Sequence, residues 1–297
     1  MISVLILTKN EEQDLPGCLE SVGWSDDIHV LDSYSTDATV VIAERAGARV
    51  CYRAFDYFAA QQNWALENIP FRHPWVLYID ADERVPPALA EAARSIVRAP
   101  GKNVAFRIQR RDFFMGRHLK HVQASPFYLR LFRPEKMRYA RMGHPVSLPN
   151  GPVGAMPGCC LDHFPFSKGL HQWIERHNRY STEEALQTLE NRENRANHAK
   201  FSFRKALFAS DFHERRYHQK ELFYRLPARP VVKFAGLYLG KRGFLDGRAG
   251  LVYATLQSIY EYMIVLKTAE VEHRLSTPHR TTSPGLEAGT TGMDTPQ

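Results

Sequence analysis

Over the first hundred positions, short apolar, β-branched runs alternate with stretches of helical period. SVLILT (Ser3 to Thr8), IHVLDS (Ile28 to Ser33), ARVCYR (Ala48 to Arg53) and WVLYI (Trp75 to Ile79) read as strands. EEQDLPGCLESV, STDATVVIAERAG, AAQQNWALENI and PPALAEAARSIVRA read as the helices between and after them. In the second of these, Ser35 or Thr36 is the expected N-cap, Asp37 lies in the first turn, and Gly47 is the stop. Strand and helix in alternation predict a mostly parallel sheet flanked by helices.

After Gly101 the pattern changes. NVAFRIQRRDFF and FYLRLFRP alternate like strands of an antiparallel or mixed extension. From about Ser167 the reading is helical, ending in a helix expected over Gly250 to Glu272. The expected organisation is an α/β domain over 1–165, a helical, basic extension over 166–275, and a disordered Ser/Thr/Pro/Gly-rich tail over 276–297.

The fourth strand poses a chemical question. WVLYIDADERV ends in three carboxylates, Asp80, Asp82 and Glu83, although carboxylates are seldom buried without a partner. Ligands of open parallel sheets bind at the carboxyl ends of the strands. If the segment stays extended, Asp80 and Asp82 point to the same side. Two charges about 6–7 Å apart repel by roughly 2–3 kcal/mol at an effective dielectric of 20. A divalent cation, Mg2+ or Mn2+, would relieve that repulsion and could also hold substrate phosphates. Glu83 is expected to start a helix or to pair with Arg84.

Composition narrows the class. Of 297 residues, 44% are hydrophobic and 24% charged, the balance of a globular protein with a sizeable core. The start MISVLILTKNEE has no basic leader, and no run of 18 apolar residues occurs. The four cysteines form no CxxC pair, so reduced thiols in a cytoplasm are expected. The formal net charge is +7, and the stretch Lys200 to Arg242, with eleven Lys and Arg against three acids, accounts for all of it. Its cations are interleaved with aromatics, among them Phe201, Phe203, Phe208, Phe212, Tyr217, Phe223 and Tyr224. That mixture suits an anionic membrane surface or a phosphorylated glycolipid. Nucleic acid rests on charge alone and is the weakest partner.

The ordered series LTKNEE, CLESVGWSDDIHVLDSYSTDAT, FAAQQNWAL, WVLYIDADERV, RRDFFMGR, LRLFRP and GFLDGRAGL resembles glycosyltransferase family 2, and within it the lipopolysaccharide-core β-1,4-glucosyltransferase type. The resemblance implies a GT-A (Rossmann-like) fold and a metal-dependent, inverting transferase. Its donor would be a nucleotide-diphosphate sugar, and its acceptor a glycolipid or phosphorylated saccharide. The site would be cytoplasmic, peripheral to the inner face of the membrane. By matching position, Thr8, Asn10 and Glu11 would line the nucleotide pocket, Asp32 would contact the base, and Ser35 would lie beside it. Gln61 and Asn63 would lie near the diphosphate or donor sugar, and Asp80 near the ribose or metal, with Asp82 as principal metal ligand.

One departure is plain. Where a His-Glu pair is expected, RMGHPVSL has His144 followed by Pro145, and proline cannot titrate. Three readings follow: His144 is the base, Asp112 or Asp162 replaces the missing carboxylate, or the chain binds a donor without turnover. Arg130 and Arg133, alternating along LRLFRP, are expected to point to one side and hold an acidic acceptor. The histidines, His118, His121, His163, His171 and His177 among them, match no compact zinc spacing and are assigned dispersed polar roles.

Overall fold

A computed structural model describes residues 1–123, 126–140, 145–193, 202–204, 226 and 228–276. His144, the expected tail beyond Ser276 and most of the basic stretch lie outside the described residues.

The alternating pattern folds as β1 (Ser3–Thr8), α1 (Leu15–Val22), β2 (Ile28–Asp32), α2 (Thr39–Arg45), β3 (Arg49–Tyr52), α3 (Phe58–Asn68) and β4 (Val76–Asp80). Then come β5 (Glu83–Arg84), α4 (Pro87–Arg98), β6 (Ala105–Phe114), β7 (Arg117–His118), β8 (Phe127–Phe132), β9 (Met137–Ala140), β10 (Val146–Pro149) and β11 (Val153–His163). The helical part comprises α5 (Gly169–Glu193), α6 (Arg229–Ala235) and α7 (Gly247–Ser276). A π-helical turn, Gly236–Gly240, and a 3-10 turn, Gly243–Asp246, join the last two.

The main sheet runs β3-β2-β1-β4-β8-β6-β11-β5, and β7 pairs with β6. β1 to β4 are mutually parallel, as expected for strands joined by crossover helices. β8 runs antiparallel to both β4 and β6. β11 lies parallel to β6 and antiparallel to β5. Both faces of the first strands are covered, which is why they read as unbroken apolar runs. Val4 and Ile6 face α1 and α4, packing with Leu15, Leu19 and Leu89. Leu5 and Leu31 face the other way, with Ala59 and Ala65 of α3 and with Phe132 and Tyr139. Each fully buried Leu or Ile side chain contributes about 1.5–3 kcal/mol. A third core joins the end of β6 and the following loop (Phe114, Leu119, Val122) to Trp173 of α5 and to Ala249, Ala254 and Leu256 of α7.

Two local expectations are corrected. α2 begins at Thr39 rather than just after Ser35 or Thr36. Ser35 is occupied elsewhere, donating to Asp32 and accepting from the Asn10 N–H, while Asp37 accepts from the Thr39 N–H at 3.0 Å. Arg130 and Arg133 do not share a side. Three residues apart in extended chain they face oppositely: Arg130 stacks over Tyr78 and Arg133 over Trp75.

Candidate active site

The loop after β1 and the turn after β2 are built as one unit. Asp32 is fully buried and its carboxylate is consumed locally. It accepts from Thr8 Oγ1 at 2.8 Å, from the Ser35 N–H at 2.7 Å and from Ser35 Oγ at 2.5 Å. Asp32 therefore holds this turn in place, with three of its roughly four lone-pair sites used by the protein. Asn10, at φ 55°, accepts from the Thr36 N–H at 2.9 Å, and the Glu11 N–H donates to Thr39 Oγ1 at 2.7 Å. Tyr34, at φ 59°, is exposed and stacks on the exposed Tyr52 at the rim.

Gln61 and Asn63 are likewise engaged by the protein. Gln61 is 1% exposed, accepts from Arg53 Nη1 and donates to Ser33 Oγ at 3.0 Å, tying β2 to the segment after β3. The Asn63 amide is paired in both directions with the Tyr139 backbone at 2.9 Å, which docks β9 on α3.

The carboxylates after β4 part company. The extended segment ends at Asp80, and Ala81 and Asp82 form a turn. Asp80 accepts from Tyr78 Oη and from Arg130 Nη2, each at 2.7 Å. Glu83, fully buried, accepts from the same Arg130 nitrogen at 2.7 Å and from the Asp80 N–H at 3.0 Å. Burial pushes the Glu83 carboxyl up to about 7, against the pull of Arg130. Glu83 is thus the buried counter-ion of Arg130, not a helix start or a partner of Arg84. Arg130, 5% exposed, is committed to these two acids rather than held out to an acceptor.

Asp82 turns instead toward His163, whose Nε2 lies 3.2 Å from its Oδ2. The sheet register makes this meeting. His163 ends β11, paired with Asp112 of β6 on one side and with Glu83 of β5, next to Asp82, on the other. The Phe164 N–H adds a bond to the Asp82 carbonyl at 2.9 Å. His163 Nδ1 is hydrogen-bonded to Asp112 Oδ1. Asp112 is 1% exposed; its Oδ2 accepts from Gln123 Nε2 at 2.5 Å, and Arg110 Nε stands 3.0 Å from Oδ1. Asp112 thus has a partner on each oxygen and holds the His163 imidazole from behind. Asp162, the other carboxylate considered for that task, accepts from Arg111 Nε at 2.6 Å.

Burial alone would lower His163, but its hydrogen bonds to Asp112 and Asp82 raise it to about 9. Burial alone would raise Asp82, but His163, with Arg110 and Arg176 farther off, brings it down to about 2. The segment after β11 packs against the loop after β1. Lys168 Nζ meets Glu11 Oε1 at 2.7 Å and the Asn10 carbonyl at 2.7 Å, while Ser167 Oγ donates to Asp14 Oδ2 at 2.7 Å. Burial raises Glu11 to about 7, opposed by Lys168, and its Oε2 is buried without a hydrogen bond. Arg110 and Arg176 lie near enough to favour the charged form of Asp82, and Lys168 does the same for Glu11.

Asp82 and His163 are the residues that could hold a divalent cation, once the imidazole gives up its proton. A carboxylate and an imidazole nitrogen face each other, and the imidazole is held from behind by a second carboxylate, a common arrangement behind metal-ligating histidines. No group of three or more ligands stands together among the described residues. A hard cation such as Mg2+ commonly takes only one or two protein ligands and completes its shell with waters and substrate phosphates.

Sequence reasoning missed His163, Lys168, Arg110 and Arg176. The only local signal was the Asp-His pair closing a strand; its partner lies some fifty residues away and is chosen by the β6–β11 register.

A model of the family described as glycosyl transferase family 2 matches residues 3–152, about half of the chain. The lipopolysaccharide core biosynthesis glycosyltransferase LpsC of Rhizobium meliloti is 29% identical over 293 residues, covering 93% of this chain and 97% of its own. An uncharacterized glycosyltransferase of Rickettsia bellii is 41% identical over 85 residues, 28% of each chain. Among solved structures, the mannosyltransferase PcManGT of Pyrobaculum calidifontis, in complex with GDP-Man and Mn2+, superposes with a TM-score of 0.49 at 16% identity, covering 90% of this chain and 86% of that one. Glucosyl-3-phosphoglycerate synthase of Mycobacterium tuberculosis, with Mn2+, UDP-Glc and phosphoglyceric acid, gives a TM-score of 0.32 at 22% identity over 39% of this chain and 44% of that one. Both structural likenesses are loose; the family match spans β1 to β10 and ends before β11 and His163. The chain belongs to glycosyltransferase family 2.

Proposed function

We propose that the chain is a metal-dependent, inverting glycosyltransferase. In this reading it moves a sugar from a nucleotide-diphosphate donor to a lipopolysaccharide-core or other lipid-linked glycan. The observation that carries the metal role is the Asp82–His163 pair, one oxygen and one nitrogen donor at the strand ends with Asp112 behind. Carboxylate and phosphate oxygens suit Mg2+ and Mn2+ alike. The cation supplies Lewis-acid stabilisation of the diphosphate leaving group. Arg110, Lys168 and Arg176 add fixed positive charge at the same mouth, where charge develops as the glycosidic bond breaks. The nucleotide lies against the Thr8–Glu11 loop and Ser35. His144 takes the acceptor's proton; this is supported by the commitment of Asp112 and Asp162 to other partners. The acceptor class rests on the similarity to the lipopolysaccharide-core relative over nearly the whole chain.

Membrane association belongs to the same proposal. Val231, Leu239, Phe244 and Leu245 are exposed apolar residues, and Lys233, Lys241 and Arg242 stand among them in sequence. Among the described residues no helix is long and apolar enough to cross a membrane.

The test is nucleotide release from a panel of nucleotide sugars with Mn2+ or Mg2+. Asp82→Ala and His163→Ala are expected to lower metal-dependent turnover by about 10²-fold or more while the fold is retained. Unchanged turnover in both variants removes the metal role. A second reading, donor binding without turnover, is favoured by Pro145 in place of a carboxylate; calorimetric binding with no release in the wild type would select it.

A further inference from the structure

The GFLDGRAGL stretch lies outside the cleft, yet its acid is tied to it. Asp246 is 2% exposed and ends the 3-10 turn before α7. Its Oδ1 accepts from the Lys120 N–H at 3.1 Å; its Oδ2 accepts from the N–H groups of His121 at 2.9 Å and Val122 at 2.8 Å. Three successive amides of the loop between β7 and β8 are therefore pinned by one carboxylate of the helical region. The next residue is Gln123. Its amide donates to Asp112 Oδ2, Asp112 holds His163 Nδ1, and His163 Nε2 faces Asp82.

We propose that Asp246 is a positioning residue for the transfer reaction. It fixes the 120–122 amides so that Gln123 orients Asp112, and Asp112 aims the His163 imidazole at the point where Asp82 and the cation meet. The inference rests on the reading of Asp82 and His163 given above. The turn is built to transmit position rather than absorb it. Gly247 sits at φ 64°, a region L side chains rarely enter, and a Cβ on Gly250 would come 2.0 Å from the Gly243 carbonyl oxygen. Arg117 ties the loop side to the same turn through the Leu245 carbonyl at 3.3 Å.

A simple structural pin and a positioning residue both lower thermal stability when removed, so stability does not separate them; coupling to Gln123 does. The probe is Mn2+ alone, its affinity read from the free-ion EPR signal. Asp246→Asn keeps the shape but opposes one loop N–H with an NH2. It is expected to weaken Mn2+ binding about tenfold, within the span typical of groups that orient metal ligands. Gln123→Ala is expected to do the same, and the double variant no more than either. Wild-type affinity in Asp246→Asn, or losses that multiply in the double variant, overturns the inference. Should Asp246→Asn not be recovered folded, Gly247→Ala shifts the same turn without touching the carboxylate and is read by the same two outcomes. Asp82→Asn separates the underlying reading: if it binds Mn2+ like the wild type, or the wild type binds none, that reading falls. If Asp82→Asn loses binding while Asp246→Asn does not, only the present inference falls.

Discussion

At the scale of single residues, the site is governed by which buried charges are paired. Arg130 carries two acids on one nitrogen and stacks on Tyr78 at 4.7 Å and Tyr128 at 5.7 Å. Removing one partner from a buried pair strands the other, which costs more than the pair itself contributes. Arg130→Met is therefore expected to lose about 3–5 kcal/mol of stability in urea unfolding, because Glu83 is left buried without its cation. A loss below about 1 kcal/mol, the range of exposed pairs, would show that Glu83 finds compensation elsewhere. The two aspartates of the Asp-x-Asp motif likewise differ through their partners. Asp80 is neutralised by Arg130; Asp82 is paired with His163.

At the scale of elements, register does the assembling. β6 and β11 are parallel neighbours, and their last paired residues are Asp112 and His163. A one-residue slip would send His163 to the opposite face and dissolve the contact with Asp82. The helical region is joined by a buried pair between Arg229 of α6 and Glu261 of α7. Glu261→Ala is expected to destabilise α6 and α7 by about 3–5 kcal/mol. Hydrogen exchange should rise across both helices while β1 to β4 stay protected, since they rest on cores of their own. Equal exposure of the first strands would mean that the two regions unfold as one unit.

At the scale of the whole molecule, the distribution of charge bears on the proposed membrane association. The excess of +7 is concentrated between Lys200 and Arg242, so the proposed membrane association is electrostatic in origin and screened by salt. The full chain is expected to co-sediment with phosphatidylglycerol-containing vesicles at low salt, to be released as salt rises, and to ignore phosphatidylcholine vesicles. Binding that is indifferent to lipid charge would remove the electrostatic account.

How much was legible beforehand follows from the range of the interactions. The sequence by itself determined the α/β class, the first four strands, the long last helix and the family. Those depend on period, turn residues and local motifs. It also located the acid-rich end of β4. What only the tertiary structure decided is how the polar groups are spent. The Asp-x-Asp spacing predicted convergence, but the chain turns at Ala81, and separate cationic partners draw the two carboxylates apart. Asp32, Gln61, Asn63, Asp112 and Arg130 carry the residue types of a binding site, yet protein groups engage each of them. The physical reason is that a buried polar side chain must find a partner, and here many of those partners stand on other strands, often dozens of residues distant. Pairing across a sheet is fixed by register and packing, and no window of the sequence contains it.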